Sequence, residues 1–196
     1  GEDEGVVGHG DLLTDDAHAY LETRPGPWAT VWGHIMRVAG NAVWLAEQIE
    51  ADVEAAYLAA LFHDMHKLDE WDTGLPHAEL GARRARRILS GELSYQSVSA
   101  ILHAIAIHPA RPAPSQTIAR LLHDADKLDK IGATGLIRRL SKTNDLEEAC
   151  EGAWRTLDEA EDFPSPCLPA TSQLLAPKLV FAQTLETLIE EVCPSF

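Results

Sequence analysis

Val31, Ile35, Val38, Ala42, Leu45 and Ile49 step by four, three, four, three and four. That spacing lays one apolar stripe along a helix from about Trp28 to Ile49. The next run, AYLAALFHDMHKL from Ala56, is apolar almost all round and predicts a central helix with neighbours on most sides. Thr73, Gly74 and Pro76 interrupt the pattern, and His77 to Leu89 (HAELGARRARRIL) opens another helix. A helix over Tyr95 to Ile107 follows, stopped by Pro109 and the loop ARPAPS. Ser115 is predicted to cap a helix with Ile118, Leu121, Leu122, Ala125 and Leu128 on one face. Gly132 and Gly135 precede a short helix, LIRRL. Two more helices, near Leu146 to Leu157 and Leu174 to Val192, are joined by FPSPCLP. Alternating strand patterns are absent, so the expected class is an all-α helical bundle.

Composition fits one soluble domain: 196 residues, 45% hydrophobic and 24% charged. The expected organisation is an acidic N-terminal segment (1–24), a core (25–140) and C-terminal helices (141–196) packing on it. Sixteen basic against 31 acidic residues give a net charge of −15. Such a surface repels a phosphate backbone, which argues against duplex nucleic acid and anionic membranes as partners. An anionic substrate would need a local positive centre such as a metal ion. Cys150, Cys167 and Cys193 are an odd count without CxxC spacing, so neither a disulfide framework nor a thiolate zinc site is expected. Reduced thiols and a cytoplasmic location follow as the expectation. GEDEGVVGHGDLLTDD is acidic and glycine-rich, the opposite of a signal peptide.

Chemistry enters where polar residues fall on buried faces. His34 lies beside Ile35, one turn before Val38. His63 and Asp64 sit together in the most apolar run, where an unpaired carboxylate is costly and a shared cation is the simplest relief. In LLHDADKLDKIG, Asp126 borders the apolar face and Asp129 lies one turn further on a similar side. Asp124 points roughly 160° away from Asp126 and reads as solvated. Taken singly, each histidine reads as a satisfied core residue and each acid as a helix surface charge. Together, two histidines and two aspartates on three helices make a mixed N/O ligand set suited to Mn, Fe, Co, Ni or Zn.

The ordered set His34, His63-Asp64, Asp126 resembles the H…HD…D pattern of the HD-domain metal-dependent phosphohydrolases. AALFHDMHK resembles the family's apolar HD-x-x-Lys run, HAELGARRARRIL the helix that often follows it, and DADKLDKIGATG the DAD-x-LD-x-x-GA-x-G signature of one branch. The likeness covers about residues 25–140. It implies a helical bundle in which His34, His63, Asp64 and Asp126 hold a divalent transition metal, with Asp64 central to catalysis. Some members carry a glutamate shortly after the HD pair as an acid/base; here position 67 is lysine, and the nearby acids are Asp69, Glu70 and Asp72.

Members with two metals add histidines before the last aspartate, and His77 and His108 stand where a second ion would take them. Each also reads as a helix-end histidine of no special role. The expected activity is hydrolysis of a nucleotide or other small phosphate ester by a metal-activated water. Lys67 and Arg84 are the candidates for substrate phosphate. Trp28, Trp32 and Trp71 flank the motifs as pocket walls or core packing. Two alternatives keep the fold: a di-iron oxygenase using all six ligands, and a non-catalytic metal-binding regulatory domain.

Overall fold

A computed structural model of the protein describes residues 9–113, 115–163 and 165–192, with side chains at all of these except 9, 10, 71 and 191. Ten helices and no strand form among the described residues: α1 (His9–Glu22), α2 (Trp28–Gln48), α3 (Val53–His63), α4 (Glu70–Thr73), α5 (His77–Leu89), α6 (Tyr95–Ile107), α7 (Thr117–Lys130), α8 (Gly132–Leu140), α9 (Leu146–Glu161) and α10 (Thr171–Val192). The all-α reading holds. No described helix is long and apolar enough to cross a membrane.

Helix α3 is the axis of the bundle, and α2, α5, α6 and α7 pack around it. Its buried residues include Ala55, Ala56, Ala59 and Ala60, small enough to let those neighbours approach closely. It ends at His63, and Asp64 has left the helical region at φ −110°, ψ 9°. This corrects the expectation that both residues lie within the helix. The His63 imidazole donates from Nδ1 to the Ala60 carbonyl at 2.6 Å, competing for the acceptor that the Asp64 amide would need to extend α3.

Gly81 explains how α5 reaches this helix end. A Cβ there would lie 2.6 Å from the Phe62 carbonyl oxygen and 3.5 Å from that of His63. Gly81→Ala is therefore expected to push α5 off the centre and cost about 1–3 kcal/mol, measurable as a lower urea midpoint with an unchanged slope.

The acidic N-terminal segment contains α1, whose Leu13, Ala17 and Leu21 are buried against the core at a four-residue spacing. Two other sequence expectations need correction. Helix α7 opens at Thr117 after Gln116, so Ser115 does not cap it. Cys150 is disulfide-bonded, whereas Cys167 is a free thiol; Cys193 lies outside the described residues. Helices α9 and α10 close over α8 and the end of α7, burying Leu157, Phe163, Leu168 and Leu175.

Candidate metal centre

Five elements bring six polar side chains together. His34 comes from α2, His63 and Asp64 from the end of α3, His77 from the first turn of α5, His108 from the end of α6, and Asp126 from α7. Asp64 stands between two histidine pairs. Its Oδ2 is 3.5 Å from His34 Nε2 and 3.9 Å from His63 Nε2. Its Oδ1 is 3.0 Å from His77 Nε2 and 3.6 Å from His108 Nε2. Asp126 joins through Oδ1, 3.3 Å from His34 Nε2.

The histidine protons are set from outside the cluster. His63 Nδ1 donates to Ala60 O, His108 Nδ1 to Ile105 O at 2.8 Å, and His34 Nδ1 to Asp129 Oδ2 at 2.7 Å. A carbonyl or carboxylate oxygen only accepts, so these Nδ1 atoms carry the hydrogen, and a neutral ring then keeps its lone pair on Nε2. Burial opposes a charge on His34, but its bonds to Asp126 and Asp129 outweigh that and raise it above its ordinary value. The Nε2 atoms of His63 and His34 then face each other at 3.4 Å, and those of His77 and His108 at 3.3 Å. Burial and the neighbouring His63 push His108 down to about 4. Burial also lowers His63, keeping its imidazole neutral. Burial opposes ionisation of Asp64 and Asp126, but the imidazoles around both, with Lys67 near Asp64 and Lys130 near Asp126, hold them well below the usual carboxylate range.

Imidazole nitrogens and carboxylates converge on one small space, and Asp64 Oδ1 and Asp126 Oδ1 are buried without a hydrogen-bond partner. A cation there would satisfy them. Ligand atoms about 2.0–2.2 Å from a shared ion stand roughly 2.9–3.6 Å apart, and most of the spacings here fall in that range. Two overlapping groups meet the test, His34 with His63 and Asp64, and Asp64 with His77 and His108.

Residues 31–131 match the model of the HD domain. The chain belongs to the HD-domain family. Among curated relatives it is 30% identical over 156 residues to ribonuclease Y of Bacillus licheniformis, covering 76% of this chain and 28% of that one. It is 33% identical over 108 residues to ribonuclease Y of Chloroflexus aurantiacus, covering 55% and 20%. The chain thus spans about a quarter of the length of these relatives. Among solved structures, a predicted HD superfamily hydrolase from an uncultured Thermotogales bacterium superposes with a TM-score of 0.70 at 24% identity, covering 92% of this chain and 91% of that one. Bacillus subtilis YpgQ in complex with ADP gives 0.62 at 22% identity, covering 93% and 98%. These two similarities establish the HD-domain fold.

Beside the centre opens a cleft of about 490 Å³, with His34 and Asp64 on its floor and Lys67, Glu70, Arg138 and Lys142 among its walls. Lys67 Nζ lies 3.3 Å from His77 Nδ1. Arg84 does not line this cleft. Its guanidinium stacks over Tyr20 of α1 at 4.5 Å. Trp28 and Trp32 do not line it either; both pack edge-on against His18 of α1. The side chain of Trp71 lies outside the described residues.

One buried acid departs from its helical-wheel reading, and another from its reading as a lone surface charge. Asp124 is fully buried and not solvated. It accepts from Cys167 N and Leu168 N at 2.9 Å each and from Thr171 Oγ1 at 2.6 Å. Asp129, taken singly as a surface charge, is buried and bonds His34, Arg37 and Arg138. Arg138 and Lys142 were not foreseen: LIRRL reads only as a short basic helix, and nothing in the sequence sets it against Asp129.

Proposed function

We propose that the protein is a metal-dependent phosphohydrolase acting on a nucleotide or another small phosphate ester. The observation that carries this reading is the Asp64 carboxylate between two facing pairs of imidazole Nε2 atoms, at the floor of a cleft with three cationic walls. His34, His63, Asp64 and Asp126 would hold one divalent ion, and Asp64, His77 and His108 a second. Bound there, Mn, Fe, Co, Ni or Zn supplies a more acidic water and screens phosphoryl charge. Lys67, Arg138 and Lys142 orient the substrate phosphate and offset the repulsion of a −15 chain.

Glu70 is the acid suited to take the proton from the attacking water. It lines the cleft, and its Oε2 accepts from His77 Nδ1 at 3.3 Å. The slight burial of Glu70 opposes ionisation, but the His77 bond outweighs it and keeps the carboxyl below its ordinary range, so it is ionised although a weaker base than a free glutamate. Asp69 is already engaged by Tyr20 at 2.6 Å and His66 at 2.7 Å. Bacillus subtilis YpgQ is solved in complex with ADP, which favours a nucleotide as the substrate here.

Phosphate release from a panel of nucleotides and sugar phosphates, run beside metal analysis of the same sample, tests the reading. Metal-dependent release that is lost on chelation and restored by one of the five ions is the expected result. His77→Ala with His108→Ala is expected to lower bound metal from two ions per chain to one. The inward-facing His77 and His108 also favour a second reading, a di-iron oxygenase. Two irons with O₂ uptake and no phosphate release would establish that reading instead, and bound metal with neither activity would leave a binding domain.

A further inference from the structure

We propose that Arg138 couples anion binding in the cleft to the orientation of His34, with Asp129 as the positioning residue between them. This rests on His34 being a metal ligand, as read above. Asp129 Oδ2 is over-subscribed. It receives His34 Nδ1 at 2.7 Å, Arg138 Nη1 at 2.6 Å and Arg37 Nη2 at 3.3 Å, while Oδ1 holds Arg37 Nε at 2.6 Å. An oxygen of a carboxylate offers about two lone-pair directions, so three donors on Oδ2 compete. Arg138 Nη1 and His34 Nδ1 are themselves only 3.1 Å apart, two N–H groups against each other.

Arg138 has reason to look elsewhere. Its Nε is buried with no hydrogen-bond partner, and its side chain borders the cleft beside Lys142. Burial and the charges of Arg138 and Arg139 push the Lys142 ammonium below its ordinary value, the mark of cations crowded without an anion. Arg139 is already held by Glu159 at 2.6 Å, and Arg37 by Asp129. Arg138 is thus the guanidinium with donors to spare for an anionic group entering the cleft. As it turns to that group, Asp129 becomes a better acceptor for His34, which makes Nε2 a stronger ligand. Arg138 and Lys142 lie beyond residue 131, where the HD-domain match ends, so α8 and the turn after it add this device to the shared core.

A simple clamp of α8 on α7 would use the same bonds, and a crossed pattern of binding separates the two. Metal-free protein is titrated with inorganic phosphate by calorimetry, and Mn²⁺ affinity is measured by equilibrium dialysis without phosphate. Arg138→Met is expected to weaken phosphate binding roughly tenfold or more, yet hold Mn²⁺ within about threefold of the parent or tighter. Asp129→Asn is expected to weaken Mn²⁺ about 10–100-fold while phosphate binds as well or better, its arginine being freed. If Arg138→Met does not fold, Arg138→Lys serves: the compact ammonium lacks the guanidinium fork that reaches from Asp129 to the cleft, so phosphate binding falls while Mn²⁺ is kept. Parallel loss of phosphate and metal in both variants would reduce the cluster to a clamp and overturn the proposal, as would unchanged Mn²⁺ affinity in Asp129→Asn. No readout uses turnover, so a crossed pattern in a protein that hydrolyses no phosphate ester would overturn the hydrolase reading and leave the coupling standing.

Discussion

Asp64→Asn is expected to lower phosphate release by about a thousandfold or more, roughly 4 kcal/mol of transition-state stabilisation, while the metal-free protein becomes no less stable. The two halves of that result share one cause. Asp64 offers one oxygen to the His34 and His63 side and the other to His77 and His108. An amide replaces one of those oxygens with an N–H donor. That donor cannot ligate a cation, but it does satisfy an imidazole lone pair that otherwise faces a carboxylate. Metal is therefore lost as the metal-free packing improves. Thermal melting with and without Mn²⁺ reads this directly. The parent should gain about 2.7 kcal/mol at a hundredfold excess over the dissociation constant, and the variant far less. A variant that melts well below the metal-free parent would mean that Asp64 holds the fold and not an ion.

What the sequence disclosed, and what it hid, follows from how α7 is surrounded. The candidate ligands were legible because a buried polar residue interrupts an apolar stripe, as His34 does between Val31 and Val38, and because the ordered motif named its partners. The helical wheel failed at Asp124 because it assumes one buried face. Helix α7 is covered by α2, α3 and α6 on one side and by α8 and α10 on the other. A carboxylate turned from the metal centre therefore meets protein and not water. Arg84 lies outside the cleft for a different reason. Sharing a helix face with His77 puts it seven residues along, where α5 has already passed the cleft and reached Tyr20. Arg138 had no signal of its own, since its role depends on a loop that folds α8 back against α7. Gly132, at φ +70°, makes that turn, and Gly135 lets α8 close on the end of α7, where a Cβ would collide with the Lys130 carbonyl.

Asp124→Ala tests the corrected reading of that far face. The variant leaves three donors, Cys167 N, Leu168 N and Thr171 Oγ1, without their acceptor in a largely dry setting. At roughly 1–3 kcal/mol for each unsatisfied buried group, partly relieved by water entering, the expected cost is about 3–5 kcal/mol. Urea unfolding measures it. Asp124→Asn should recover part of the loss, because its carbonyl still accepts from one or two of the donors. The metal affinity of the folded variant should stay within about threefold of the parent, because Asp124 serves the connection between α9 and α10 and not the centre. Equal metal loss from the Asp124 and Asp126 variants would place Asp124 in the ligand set. A destabilisation under about 1 kcal/mol would return it to the solvated surface that its helical position first suggested.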